Sequence, residues 1–96
     1  MIDILISAGA EEDYLEALCW YAERSQGAAS GFEAEFQHAL ESIAADPDRF
    51  PSCDNQHRFV LMRRYPFQVI YRKVSAGLLI VAVAHGKRHP GYWLER

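Results

Sequence analysis

Seven consecutive apolar residues, Leu78 to Ala84, constrain this chain more than any other stretch. A run of that length without alternation suits a strand buried on both faces of a layered structure. It is too short to cross a bilayer, which takes about 20 residues. The character then changes within one residue: His85, Lys87, Arg88 and His89 arrive together, followed by Pro90, Tyr92 and Trp93. A central strand that carries polar groups to one edge of a sheet is a common way to build a site.

The other elements follow from pattern. Ile2–Ile6 reads as a short strand. Ser7 is placed to cap a helix that runs to about Arg24, with Glu11, Glu12 and Asp13 near its positive end. Tyr14, Leu15, Leu18, Tyr21 and Ala22 form its apolar stripe, widened by Cys19 and Trp20. Ser25-Gln-Gly27 breaks the pattern. A second helix is expected over Ala28–Ala45, buried through Phe32, Phe36, Ala39 or Leu40, and Ile43. Asp46-Pro47 stops it, because the residue before proline disfavours the α region. The loop Asp46–Gln56 is pinned by Phe50. Strands follow at Arg58–Arg63 and Phe67–Arg72, with Tyr65-Pro66 at the corner between them. The order β-α-α-β-β-β predicts one α+β domain over residues 1–96, an antiparallel sheet covered on one face by a helical hairpin.

Charge is divided between the two parts of the chain. Residues 1–56 hold twelve acids against Arg24 and Arg49, whereas residues 57–96 hold eight bases against Glu95 alone. Either one face seeks anions or the two parts attract each other across the fold. Arg58, Arg63, Arg64, Arg72, Lys73, Lys87 and Arg88 are the expected basic cluster, brought within reach by adjacent antiparallel strands. Phosphates are natural ligands for such a group, and Tyr65, Tyr92 and Trp93 could stack on bases. Trp93 is expected to pack inward. Cys19 and Cys53 read as one core thiol and one loop thiol, not a disulfide. The His85–His89 spacing resembles half a zinc site, but Gly86 and Pro90 oppose a helix there and no second ligand pair follows, so neither metal nor cofactor is expected. Met1 leads into IDILIS with no basic start and no long apolar run. The expectation is therefore a cytoplasmic chain without a membrane span.

Four segments carry a resemblance: SAGAEEDYLEAL, ADPDRFP, RRYPFQVIYRK and IVAVAHGKRHPGYWLER. With them the chain resembles the RelE/ParE superfamily of toxins from bacterial type II toxin–antitoxin systems, the plasmid-stabilisation type. The resemblance implies a compact sheet with two N-terminal helices. It also implies a cognate antitoxin, and assembly as a homodimer or a toxin–antitoxin hetero-oligomer. RelE-like members cut mRNA in the ribosomal A site without a metal, using basic residues and often a tyrosine near the end. ParE-like members inhibit DNA gyrase. Arg88 falls at the position of a RelE-type arginine, and Tyr92 lies near the catalytic tyrosine. Gln68 stands where nucleases often carry an arginine, and Phe59 and Leu61 occupy the region of their lysines. The resemblance thus implies a gyrase-directed toxin, with Arg58, Arg63, Arg64, Arg72, Lys73, Lys87, Arg88 and Trp93 contacting target or antitoxin. The alternative is a ribosome-dependent endoribonuclease using Arg88, Lys87, His85 and Tyr92. A third reading is a non-toxic binding module that kept the fold.

Overall fold

The computed structural model describes residues 2–96. In chain order the elements are β1 (Ile4–Ile6), α1 (Ala8–Arg24), α2 (Gln26–Ala45), β2 (His57–Leu61), β3 (Phe67–Val74) and β4 (Gly77–His85). They form one sheet in the order β1-β4-β3-β2. The expected element order and the helical hairpin over one face hold. One correction concerns strand direction: β2, β3 and β4 are antiparallel, but β1 lies parallel to β4, pairing Ile4 with Leu78 and Ile6 with Ile80. The sheet is therefore mixed. Gly77 makes the junction possible: its φ is +145°, and a Cβ there would run into the Asp3 carbonyl oxygen, which accepts the Leu78 N–H at 2.9 Å.

The two helices are joined by a single residue. Ser25 is extended (φ −165°, ψ 130°); its N–H donates to the Tyr21 carbonyl and its hydroxyl accepts from Ala28 N–H. One residue thus ends α1 through its backbone and caps α2 through its side chain, so Gln26 and Gly27 lie inside the second helix and not in a loop. Ser7 caps α1 as expected, accepting from Ala10 N–H at 3.0 Å. On α2, Phe32, Phe36, Ala39 and Ile43 face the sheet at helical spacing.

The stripe on α1 differs from the expected one. Its buried residues are Ala10, Asp13 and Ala17, flanked by the partly buried Tyr14, Leu18 and Tyr21. Small side chains let the helix lie close to β4, and that rotation turns Leu15 and Trp20 outward. Cys19 is exposed on the same side, so it is not a core thiol; Cys53 is exposed in its loop.

Two apolar layers sandwich the sheet. Leu78, Ile80 and Val83 of β4 and Val69 and Tyr71 of β3 pack under the helices. Ile70, Val81, Ala82 and Ala84 face the other way, where Trp93 covers them. This division requires a bulge. Ile70 pairs with Ala82 but Tyr71 pairs with Ile80, which leaves Val81 as an extra residue on β4. Val81 and Ala82 consequently share a face, and the alternation resets. Without that reset, Val83 and His85 would point away from the helices.

Candidate functional site: the basic end of the sheet

β1 is only three residues long, so β4 outruns it. The edge of β4 past Ile80 needs other partners, since buried backbone groups left unpaired are costly. Side chains supply them. The Ser7 hydroxyl donates to Val81 O at 3.2 Å, Arg96 Nη1 donates to the same oxygen at 3.2 Å, and Val83 N–H donates to Asp13 Oδ2 at 3.1 Å.

Asp13 is the centre of this arrangement. Its side chain is 6% exposed and also accepts from Tyr92 Oη at 2.8 Å, Arg96 Nη1 at 2.8 Å and Arg96 Nη2 at 3.3 Å. Four donors on one buried carboxylate tie α1, β4 and the C-terminal segment together. Gly9 makes room, since a Cβ there would meet the Arg96 guanidinium. From sequence Asp13 is one acid among three near a helix start. Its burial between Ala10 and Ala17, on the face that meets β4, is the feature that separates it from them.

Tyr92 is clamped in turn. Burial, and then its bond to the Asp13 carboxylate, push the phenol up to about 12. The Arg88 guanidinium lies over its ring, 3.9 Å from the centroid, and holds the same edge by cation–π attraction. Because the folded state keeps this proton, the Tyr92 contribution to stability is present below pH 10 and is lost as pH rises from 10 towards 12. An ultraviolet titration should show one phenol ionising near 12 that is missing from Tyr92→Phe, and that variant should lose about 1 kcal/mol. Equal titration curves for the two proteins would contradict the clamp.

The basic residues divide. Phe67 pairs with His85, and Gly86 N–H donates to Pro66 O at 2.7 Å, so the Arg63–Pro66 turn and the end of β4 share one end of the sheet. Arg63, Arg64, Lys87 and Arg88 gather there. Glu35 of α2 secures the turn, accepting the N–H groups of Arg63 and Arg64 at 2.9 and 3.2 Å and pairing with the Arg64 guanidinium at 3.4 Å. His85 lies edge-on to Phe67, with ring centroids 5.0 Å apart, and its Nδ1 accepts from Lys87 N–H at 3.0 Å. Arg58, Arg72 and Lys73 sit at the opposite end, where Arg72 pairs with His57 and Lys73 with Leu78. Six residue steps along β3 separate Phe67 from Lys73, a span of about 20 Å. The single basic cluster expected from sequence is two clusters. Trp93 faces inward, 7% exposed, with its ring 4.8 Å from that of His57.

Charge attraction between the two parts of the chain is also visible. Asp13–Arg96, Glu35–Arg64 and Asp48–Lys73 each join an acid of residues 1–56 to a base of residues 57–96. Arg88 has no such partner among the described residues. It rims a cleft of about 400 Å³ between α1 and the sheet, with Trp20, Tyr21, Phe67 and His85 on its walls. Trp20 is half exposed and carries the Arg24 guanidinium 3.4 Å over its ring. The cleft is therefore apolar within and cationic at one lip. No group of metal-ligating side chains that could hold an ion occurs among the described residues, and none of their helices is long and apolar enough to cross a membrane.

A short mixed sheet under a helical hairpin, with a basic end closed by the C-terminal segment, is the architecture that the RelE/ParE resemblance implies. Within that class the match is specific. The family model for the ParE toxin of the type II parDE toxin–antitoxin system fits residues 4–90, and the chain belongs to that family. Among solved structures, one described as the chromosomal ParDE toxin–antitoxin system from P. aeruginosa superimposes with a TM-score of 0.75. The match covers 88% of this chain and 96% of that one at 14% identity, a likeness of fold. A search of curated proteins finds no match.

Proposed function

We propose that this protein is the toxin of a ParE-type module, that a cognate antitoxin in the cytoplasm silences it, and that its target is DNA gyrase. The observation that carries the choice of target is the state of Tyr92. Metal-free RNA cleavage needs a base for the 2′-hydroxyl, cations for the developing charge and an acid for the leaving oxygen. The Tyr92 hydroxyl is bonded to a buried carboxylate, and its phenol is held at about 12, far from the range of a useful acid or base at neutral pH. Its ring serves as the bed for Arg88. A guanidinium fixed over an aromatic ring, beside an apolar cleft, is equipped to grip an acidic protein surface.

Two assays decide the target. Purified protein added to gyrase and relaxed plasmid should block supercoiling; undisturbed supercoiling at saturating protein would sink the gyrase reading. Programmed ribosomes in parallel should retain intact mRNA in the A site, and cleavage there would move the protein to the nuclease class. Arg88→Ala should relieve growth inhibition about tenfold or more, the loss expected for one charged anchor, while its melting temperature stays within error. Equal toxicity would remove Arg88 from the target surface. Induced expression of soluble wild type without any growth defect would favour a non-toxic binding module.

A further inference from the structure

The second basic group, at the far end of the sheet, lies outside the reading above and forms a site of its own. The loop of residues 46–56 folds back along β2: Cys53 N–H donates to His57 O at 2.8 Å and Phe59 N–H to Pro51 O at 3.1 Å. Between this loop and the strands is a cavity of about 340 Å³, lined by Asp48, Asp54, His57, Arg58, Arg72 and Lys73 among others.

His57 is the built element. It is 6% exposed, its ring rests against Trp93, and its Nδ1 lies 3.0 and 3.1 Å from the two Asp54 oxygens. In the neutral ring a carboxylate at that distance holds the proton on Nδ1 and leaves Nε2 as the acceptor. Nε2 bonds to no protein group and is not sealed from the surface. The Asp54 charge is already engaged, since Oδ1 also takes the N–H groups of Gln56 and His57, both at 2.8 Å. Arg58 is half-buried and fixed by donation from Nη1 to Phe50 O at 2.6 Å, which leaves the rest of its fork for a ligand. Lys73 spends one contact on Asp48 at 2.7 Å and keeps further donors.

Oriented imidazole acceptor, fixed guanidinium and ammonium together suit an anion that also carries a proton. We propose that this cavity binds the phosphate group of a small phosphorylated molecule. Arg58 and Lys73 face its charged oxygens, and His57 Nε2 accepts from its P–O–H. A fully ionised sulfate lacks that hydrogen and is the weaker ligand. The site is independent of the gyrase reading, since it uses no residue of the Arg88 end.

The test is an amide NMR titration of the full chain with inorganic phosphate, sulfate and adenosine monophosphate. Saturable shifts confined to residues 46–58 and 71–73 are expected, with phosphate tighter than sulfate. Lys73→Ala removes an exposed side chain and should leave the rest of the spectrum intact while weakening phosphate by about tenfold or more. His57→Gln should erase the preference for phosphate over sulfate. Tighter binding of the nucleotide than of phosphate would identify a nucleotide as the source of the group; equal binding would identify phosphate itself. The proposal fails if no shift saturates at tens of millimolar, if shifts spread equally to Arg63, Arg64, Lys87 and Arg88, or if Lys73→Ala binds as wild type does.

Discussion

Val83→Asp is expected to yield no folded protein. Val83 is 2% exposed beneath the helices, and its N–H already donates to the buried Asp13 carboxylate. A second carboxylate there has no cation of its own and faces the first. Burying an unpaired charge costs several kcal/mol, against a total stability of roughly 5–15 kcal/mol for a domain of this kind. The β4 strand cannot move the charge out by slipping, because the Val81 bulge fixes which residues face the helices. Far-ultraviolet circular dichroism and a cooperative melt provide the check. Val81→Asp, on the opposite face among Ile70, Ala82 and Trp93, should fail in the same way. A native-like melt from either variant would mean that β4 is not buried on both faces.

Asp13→Ala carries the next largest effect. It strands Val83 N–H, the Tyr92 hydroxyl and the Arg96 guanidinium together. Removing one member of a buried pair costs about 3–5 kcal/mol. The Arg96 side chain is 25% exposed and can turn to water, which places the loss near the lower end, about 3 kcal/mol. For a domain of this size that corresponds to a fall of more than about 10 °C in melting temperature. Asp13→Ala combined with Arg96→Ala should cost less than the two single changes added, since the second removes a charge that the first left unpaired. Strict additivity would show that the two side chains do not interact. Asp13→Ala should also loosen Tyr92 and with it Arg88, so toxicity should fall further than stability alone explains.

Much of this was legible in the chain. The seven apolar residues of Leu78–Ala84 marked the central strand because a strand covered on both faces suits so short an unbroken run. Ser7 and Asp46-Pro47 marked helix ends because capping and the pre-proline restriction are local rules. The α2 face was right because Phe32, Phe36 and Ile43 are large, and large residues at helical spacing have one economical place to go. The α1 face was wrong for the complementary reason: its contact with β4 is made by Ala10 and Ala17, which carry little hydrophobic signal, while the prominent Leu15 and Trp20 stay outside. Cys19, expected in the core, follows the same rotation to the surface. The parallel pairing of β1 was not legible either, because strand direction across a sheet is set by where intervening elements deliver the chain.

Element order, the double-sided burial of β4 and the family are readable from the chain alone, since these rest on local periodicity and on motifs read directly from residue type. How the charged residues are used emerges only once the chain is packed, and the packing has three consequences for them. Packing divides seven bases between two ends of a sheet, because the partner of a residue across an antiparallel pair depends on register and not on proximity in the chain. It placed His85 beneath the helices, because one extra residue at Val81 inverts every side chain after it. It also brought Asp13 to Arg96, 83 positions away, because an edge of β4 that β1 is too short to cover has to be satisfied by whatever side chains the fold delivers there.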